Sequence, residues 1–132
     1  MRYVLDTNIV SYWMRGNEST VKKISEKKPC DLAISLITYA EILYGIKKSA
    51  RKKHERMEKL KNIVSLIRII PMDIEAAEHY AHIRVFLEKN GTIISERDLQ
   101  IASIARSKGL CLATHNHREF DRFPDLEVED WG

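Results

Sequence analysis

Four carboxylates stand far apart along the chain, Asp6, Glu41, Asp98 and Glu119, and each lies near a short apolar run. Asp6 follows Tyr3-Val4-Leu5, and Glu41 lies six residues past Leu32–Ser35. Asp98 opens the stretch that leads to Leu110–Ala113, and Asn116 and Glu119 follow that run. If such acids share one edge of a fold, they repel. Two bare carboxylates ~4 Å apart cost on the order of 4 kcal/mol at an effective dielectric of 20. A cation or raised pKa values must relieve the cluster. Oxygen-only donors suit Mg²⁺, with Mn²⁺ as a substitute, because these ions take one or two carboxylates and keep positions for water and phosphate. The chemistry this permits is in-line attack of water on a phosphodiester, with no covalent enzyme intermediate.

Each acid also fits a purely local role. Asp6 can cap a helix starting at Thr7, and Thr38-x-x-Glu41 and Ser95-x-x-Asp98 have the form of capping boxes. Against a cap alone, Asp98 heads a stripe with Ile101, Ala102 and Ala105 at i+3, i+4 and i+7. That stripe is the one expected to face a sheet.

The elements that must position these residues alternate. Strands are expected at Arg2–Leu5, Leu32–Ser35, Arg68–Pro71, Leu110–Ala113 and Leu126–Val128. Helices are expected at Thr7–Met14, Ser19–Glu26, Thr38–Ser49, 51–67, Asp73–Lys89 and Glu96–Ser107. Met57, Leu60, Val64 and Ile67 give the fourth helix one apolar stripe, and Asn90-Gly91 stops the fifth. Strand and helix in alternation predict an α/β fold, a three-layer α/β/α sandwich around a central parallel five-stranded sheet. In such sheets the loops at the strands' carboxyl ends gather along one edge, where ligands bind.

The 132 residues suit a single domain over 1–132, with 44% hydrophobic and 31% charged residues excluding a disordered chain. No apolar run nears the ~20 residues of a membrane span, and Asp6 breaks the first run too early for a signal peptide. Cys30 and Cys111 lack CxxC spacing and are expected to be buried free thiols in a reducing cytoplasm. The net charge is only +3, but residues 47–61 hold eight Lys/Arg and residues 119–130 hold six acids. That segregation fits a polyanion on one side and a basic partner or neighbour on another; a solvated helix face fits the basic segment equally.

At these residues the sequence resembles the PIN-domain ribonucleases, specifically the VapC toxins of type II toxin–antitoxin pairs. The matching segments are V-L-D-T-N at 4–8, I-S-L-I-T-Y-A-E-I-L-Y-G at 34–45 and I-R-V-F-L-E-K-N-G at 83–91. D-L-Q-I-A at 98–102, T-H-N-H-R-E-F at 114–120 and L-E-V-E-D-W at 126–131 complete the set, in order along the chain. The resemblance implies a Mg²⁺-dependent endoribonuclease, inhibition by a VapB-like antitoxin, and a homodimer. It implies that Asp6, Glu41, Asp98 and Glu119 are catalytic, with Asp6 and Asp98 holding the metal and Thr7, Thr114 and Asn116 in support. Transfer RNA is the candidate substrate. Two positions depart from the family pattern: Ile93-Ile94-Ser95 replaces P-I-G, and Thr114-His115-Asn116 replaces T-N-N.

Around this core, Arg97 is placed to touch a phosphate, and Lys47 and Lys48 open a basic segment that can track RNA. His115 is either a substrate contact or a plain loop histidine. Tyr12 and Trp13 can stack on a base, whereas Tyr44 is expected to pack in the core or an interface. In the family, the groove beside the first helices and the 38–67 helices receives the antitoxin, which makes Trp13 and Ile46 candidate contacts. The pairs His79/His82 and His115/His117 lack zinc-ligand spacing, and no glycine-rich phosphate loop is present. Two rivals stand: a PIN nuclease of RNA processing without an antitoxin, and a catalytically silent PIN binding module. A response-regulator-like phosphoacceptor would need paired acids after the first strand and a lysine after the last, and neither occurs.

Overall fold

Tyr3–Leu5 (β1), Leu32–Ser35 (β2), Arg68–Ile70 (β3), Cys111–Thr114 (β4) and Val128–Asp130 (β5) pair in parallel in the order β3-β2-β1-β4-β5. The computed structural model describes residues 1–132. Seven helices run between the strands: α1 (Thr7–Met14), α2 (Glu18–Ser25), α3 (Leu36–Lys48), α4 (Lys53–Leu66), α5 (Ile74–Lys89), α6 (Glu96–Ser107) and α7 (His117–Phe120). No helix is long and apolar enough to cross a membrane.

Because side chains alternate across a strand, the sheet has two buried faces. Tyr3, Leu5, Leu32, Ile34, Cys111 and Ala113 face Ile9, Ile24, Ile42, Ile46, Leu60 and Ile63 of α1 to α4. Val4, Ala33, Ile70 and Leu112 face Ile83, Leu87, Ile101, Ala102, Ile104 and Phe120 of α5 to α7. The result is the expected three-layer sandwich. β1 lies at its centre, and the chain crosses to β2 on one side and β4 on the other.

Several expectations need correction. α3 starts at Leu36 rather than Thr38, because the Ser35 hydroxyl accepts a hydrogen bond from the Thr38 amide at 3.0 Å and caps the helix. The Thr38–Glu41 capping box therefore does not form, and Glu41 falls in the second turn. β4 begins one residue later than expected and β5 two, and α7 was not foreseen. Of the two thiols only Cys111 is buried, while Cys30 is exposed in a 3-10 turn, Pro29–Asp31. Burial, with Glu129 and Glu127 nearby, pushes the Cys111 thiol up to about 12, so it stays protonated and inert. Ile46 is fully buried in the core and cannot be a partner contact. Tyr44 is exposed rather than packed in the core.

Trp131 closes the first core from the chain's end. It is 1% exposed, its ring lies 4.9 Å from that of Tyr3, and its carbonyl accepts the buried Thr20 hydroxyl at 2.8 Å. Trp131→Ala should lower unfolding free energy by about 3–5 kcal/mol, measured by urea denaturation. A loss under ~1 kcal/mol would show that the terminal strand does not close this core.

Candidate active site at the carboxyl rim of the sheet

Asp6 is placed by the ladder itself. Its amide donates to the Ala113 carbonyl at 2.9 Å, so the residue still pairs with β4 while its carboxylate already stands at the rim. One carboxylate oxygen accepts from the Thr7 amide at 2.8 Å and the other from the Thr114 hydroxyl at 2.8 Å. Asp6 is thus both the cap of α1 and a fixed acid of the rim. Thr114 in turn accepts from the Asn116 amide at 2.9 Å, which folds the chain after β4 back over the site.

Glu41 is held from below by a chain of hydroxyls. Thr7 Oγ1 donates to Glu41 Oε1 at 2.7 Å, and Thr38 Oγ1 lies 3.1 Å from Thr7 Oγ1. Since Thr7 has one hydroxyl proton and gives it to Glu41, Thr38 must donate to Thr7. Ser35 donates to Thr38 at 3.3 Å and completes the series. Thr38 and Ser35 are fully buried. Neither was singled out from sequence for this role, although a hydroxyl three residues before an acid on a helix carries the spacing that would have found Thr38. The other Glu41 oxygen is ion-paired to Arg97 of α6.

Asp98 lies in the first turn of α6, whose cap is Ser95, the Asp98 amide donating to Ser95 Oγ at 3.2 Å. Below it Ile101, Ala102 and Ala105 are buried as the stripe predicted. The Asp98 carboxylate accepts no hydrogen bond and has no ion-pair partner.

These acids line one groove of about 680 Å³, together with Thr7, Asn8, Ser11, Ser95, Arg97 and Asn116. A second part of its lining is mostly basic and comes from Arg15, Lys52, Arg56 and Lys59, with Glu55 among them. Burial raises the Asp6 pKa from its ordinary 3.8 to about 6, and the charges of Asp98 and Glu41 add to the rise, while Thr114 and Thr7 oppose it. Asp6, Glu41 and Asp98 are therefore close enough to repel.

Other expected residues lie elsewhere. Glu119, on α7, is not among the groove's lining residues. Lys47 and Lys48 end α3 outside it, Lys48 lying over the Tyr44 ring. The basic part of the lining uses Lys52, Arg56 and Lys59 instead, spaced four and three apart, a helical stripe readable in the sequence. His115 points away from the groove, edge-on to Tyr12 at 5.7 Å and 3.6 Å from Asp130. His79 and His82 both turn a ring nitrogen to Arg106, at 2.9 and 3.0 Å, which occupies them.

No three His, Cys, Asp or Glu groups enclose a metal ion here. The donor set nonetheless fits a hard ion that needs few protein ligands. Asp98 is unpartnered, and each Asp6 oxygen, accepting one hydrogen bond, keeps a free lone pair.

The PIN domain family model matches residues 3–126. The chain is 38% identical over 133 residues to ribonuclease VapC2 of Rickettsia felis, covering 99% of this chain and 98% of that protein. It is 33% identical over 131 residues to the tRNA(fMet)-specific endonuclease VapC of Shigella flexneri, with coverage of 99% and 98%. Its fold aligns with DNA-bound VapBC from Salmonella typhimurium at a TM-score of 0.92 and 31% identity, over 100% of this chain and 99% of that one.

The buried Asp6 charge sets a pH dependence. Its folded pKa lies above its unfolded one, so the native state holds the proton more tightly. Wild-type stability should fall as pH rises from about 4 to about 6 and then level off. Asp6→Asn should match wild type near pH 4 and exceed it by on the order of 2–3 kcal/mol at pH 7, measured by urea unfolding in chelator. Parallel stability curves for the two proteins across that range would contradict the burial argument.

Proposed function

This chain belongs to the PIN-domain family and, within it, to the VapC ribonucleases, and from that premise we propose that it is an endoribonuclease toxin acting in the cytoplasm and neutralised by a VapB-like antitoxin. The observation that carries the reading is the unpartnered Asp98 carboxylate beside buried Asp6, in one groove whose lining also has a mostly basic part. Asp6 and Asp98 are the residues that would hold Mg²⁺. Bound there, the ion supplies charge neutralisation at the phosphate and a more acidic water.

The chain's own residues do the rest. Arg15, Lys52, Arg56 and Lys59 attract the RNA backbone, and their grip weakens with salt. Thr7 and Thr114 fix the Asp6 carboxylate so that its free lone pairs face the groove. Glu41, kept in place by the Thr7 hydroxyl, is positioned to accept a hydrogen bond from the attacking water. Asn116 lines the groove beside Asp6 and offers an amide to the substrate. Transfer RNA is the substrate class we assign, in keeping with the tRNA-specific relative. A homodimer is the assembly we assign, with Leu36, Val85, Phe86 and Ile93 as exposed apolar side chains available to it.

Asp98→Asn should lower RNA cleavage by roughly a hundredfold or more without changing the circular dichroism spectrum, because Asp98 makes no side-chain contact that stabilises the fold. The assay is growth arrest on expression with and without the upstream gene's product, followed by sequencing of cellular RNA 5′ ends. Wild-type cleavage by Asp98→Asn would remove the catalytic assignment. Toxicity unaffected by the upstream product would favour an RNA-processing role without antitoxin.

A further inference from the structure

We propose that Arg97 competes with the divalent cation for the acidic rim, holding Glu41 while no cation is bound and turning to the RNA phosphate once one is. The inference rests on the reading of the groove as a metal-dependent ribonuclease site. Four observations carry it. The Arg97–Glu41 ion pair joins two elements of the acidic side of the groove, the first turn of α6 and the second turn of α3. Its two ends differ in freedom: the Arg97 side chain is 67% exposed and that of Glu41 only 17%. Glu41 keeps its 2.7 Å hydrogen bond from Thr7 if the guanidinium leaves, so Arg97 is the end that moves. Finally, Arg97 neutralises the acid of α3 and leaves its sequence neighbour Asp98 unpaired, so the pair quenches one rim charge and preserves the others.

The other groove cations are not so placed. Lys59 pairs with Glu55 of its own helix, Arg15 lies over Tyr12, and Arg56 makes no ion pair. Two cations drawn to one acidic rim oppose each other, and the opposition is reciprocal: the divalent ion loosens Arg97 as much as Arg97 weakens the ion. The released fork then suits a phosphate, which it can bind through two N–H groups.

The test is Mn²⁺ titration of the metal-stripped full chain by calorimetry, in wild type, Arg97→Gln, Arg56→Gln and Asp98→Asn. Arg97→Gln should bind Mn²⁺ about five- to tenfold more tightly, and Arg56→Gln should change affinity less than about twofold. A second arm follows a fluorescent single-stranded RNA with and without Ca²⁺. Ca²⁺ should raise wild-type affinity severalfold, and Arg97→Gln should lose most of that rise. Unchanged Mn²⁺ affinity in Arg97→Gln, or an equal gain in Arg56→Gln, overturns the competition. An equal Ca²⁺ response in both proteins overturns the release to phosphate. If wild type binds no Mn²⁺ that Asp98→Asn loses, the underlying reading of the groove fails as well.

Discussion

The carboxylate of Asp6 is buried, and the structure around it follows from that fact. An acid at the end of a central strand is surrounded by apolar side chains, which penalise its charge. The fold offsets part of the penalty with two hydrogen bonds, from Thr7 and Thr114. It then adds to the penalty by bringing Glu41 and Asp98 near. No ordinary stability argument favours that arrangement. It becomes favourable when positive charge enters beside Asp6, because Arg97 pairs with Glu41 and leaves Asp98 without a cation.

The sheet makes the arrangement rigid. Strands β2, β1 and β4 are neighbours, and each ends in a residue that serves the site: Ser35, Asp6 just past Leu5, and Thr114. Parallel pairing puts these ends side by side, and crossovers to opposite faces open the rim at β1. The helices that start there bring their first turns to the same place. Thr7, Thr38 and Asp98 are thus delivered by helix starts, whose caps Asp6, Ser35 and Ser95 also fix the acids' directions. Capping and catalysis are therefore not competing explanations. The same oxygen of Asp6 that satisfies an orphan helix amide is one that keeps the acid aimed at the groove.

The groove is polarised. Asp6, Glu41 and Asp98 form its acidic part, and on α1 and α4 the bases Arg15, Lys52, Arg56 and Lys59 outnumber Glu55. Arg97 belongs by position to the acidic part, where it pairs with Glu41.

Much of this was legible in the sequence, because alternation and helix period report burial directly. The strand and helix order, the stripe below Asp98, and the segments that carry Asp6, Glu41 and Asp98 to one groove all rest on local spacing, and spacing survives folding. What sequence could not provide was contact between distant residues. It missed the buried hydroxyls Ser35 and Thr38, since a helix start shifted by two residues changes what Thr38 touches. It marked the basic segment from Lys47 to Lys61 as a whole, with Lys47 and Lys48 at its head, and could not tell that Lys52, Arg56 and Lys59 are the ones that line the groove, because the start of α4 fixes which cations turn there. It offered Ile46 as a partner contact although the fold buries it, and left Tyr44 between core and interface, of which its exposure removes the core. Residue types and their periodicity determined the layers and the candidate acids; only the tertiary structure decided which charges lie within reach of one another, because electrostatic energy depends on distance through space and not along the chain.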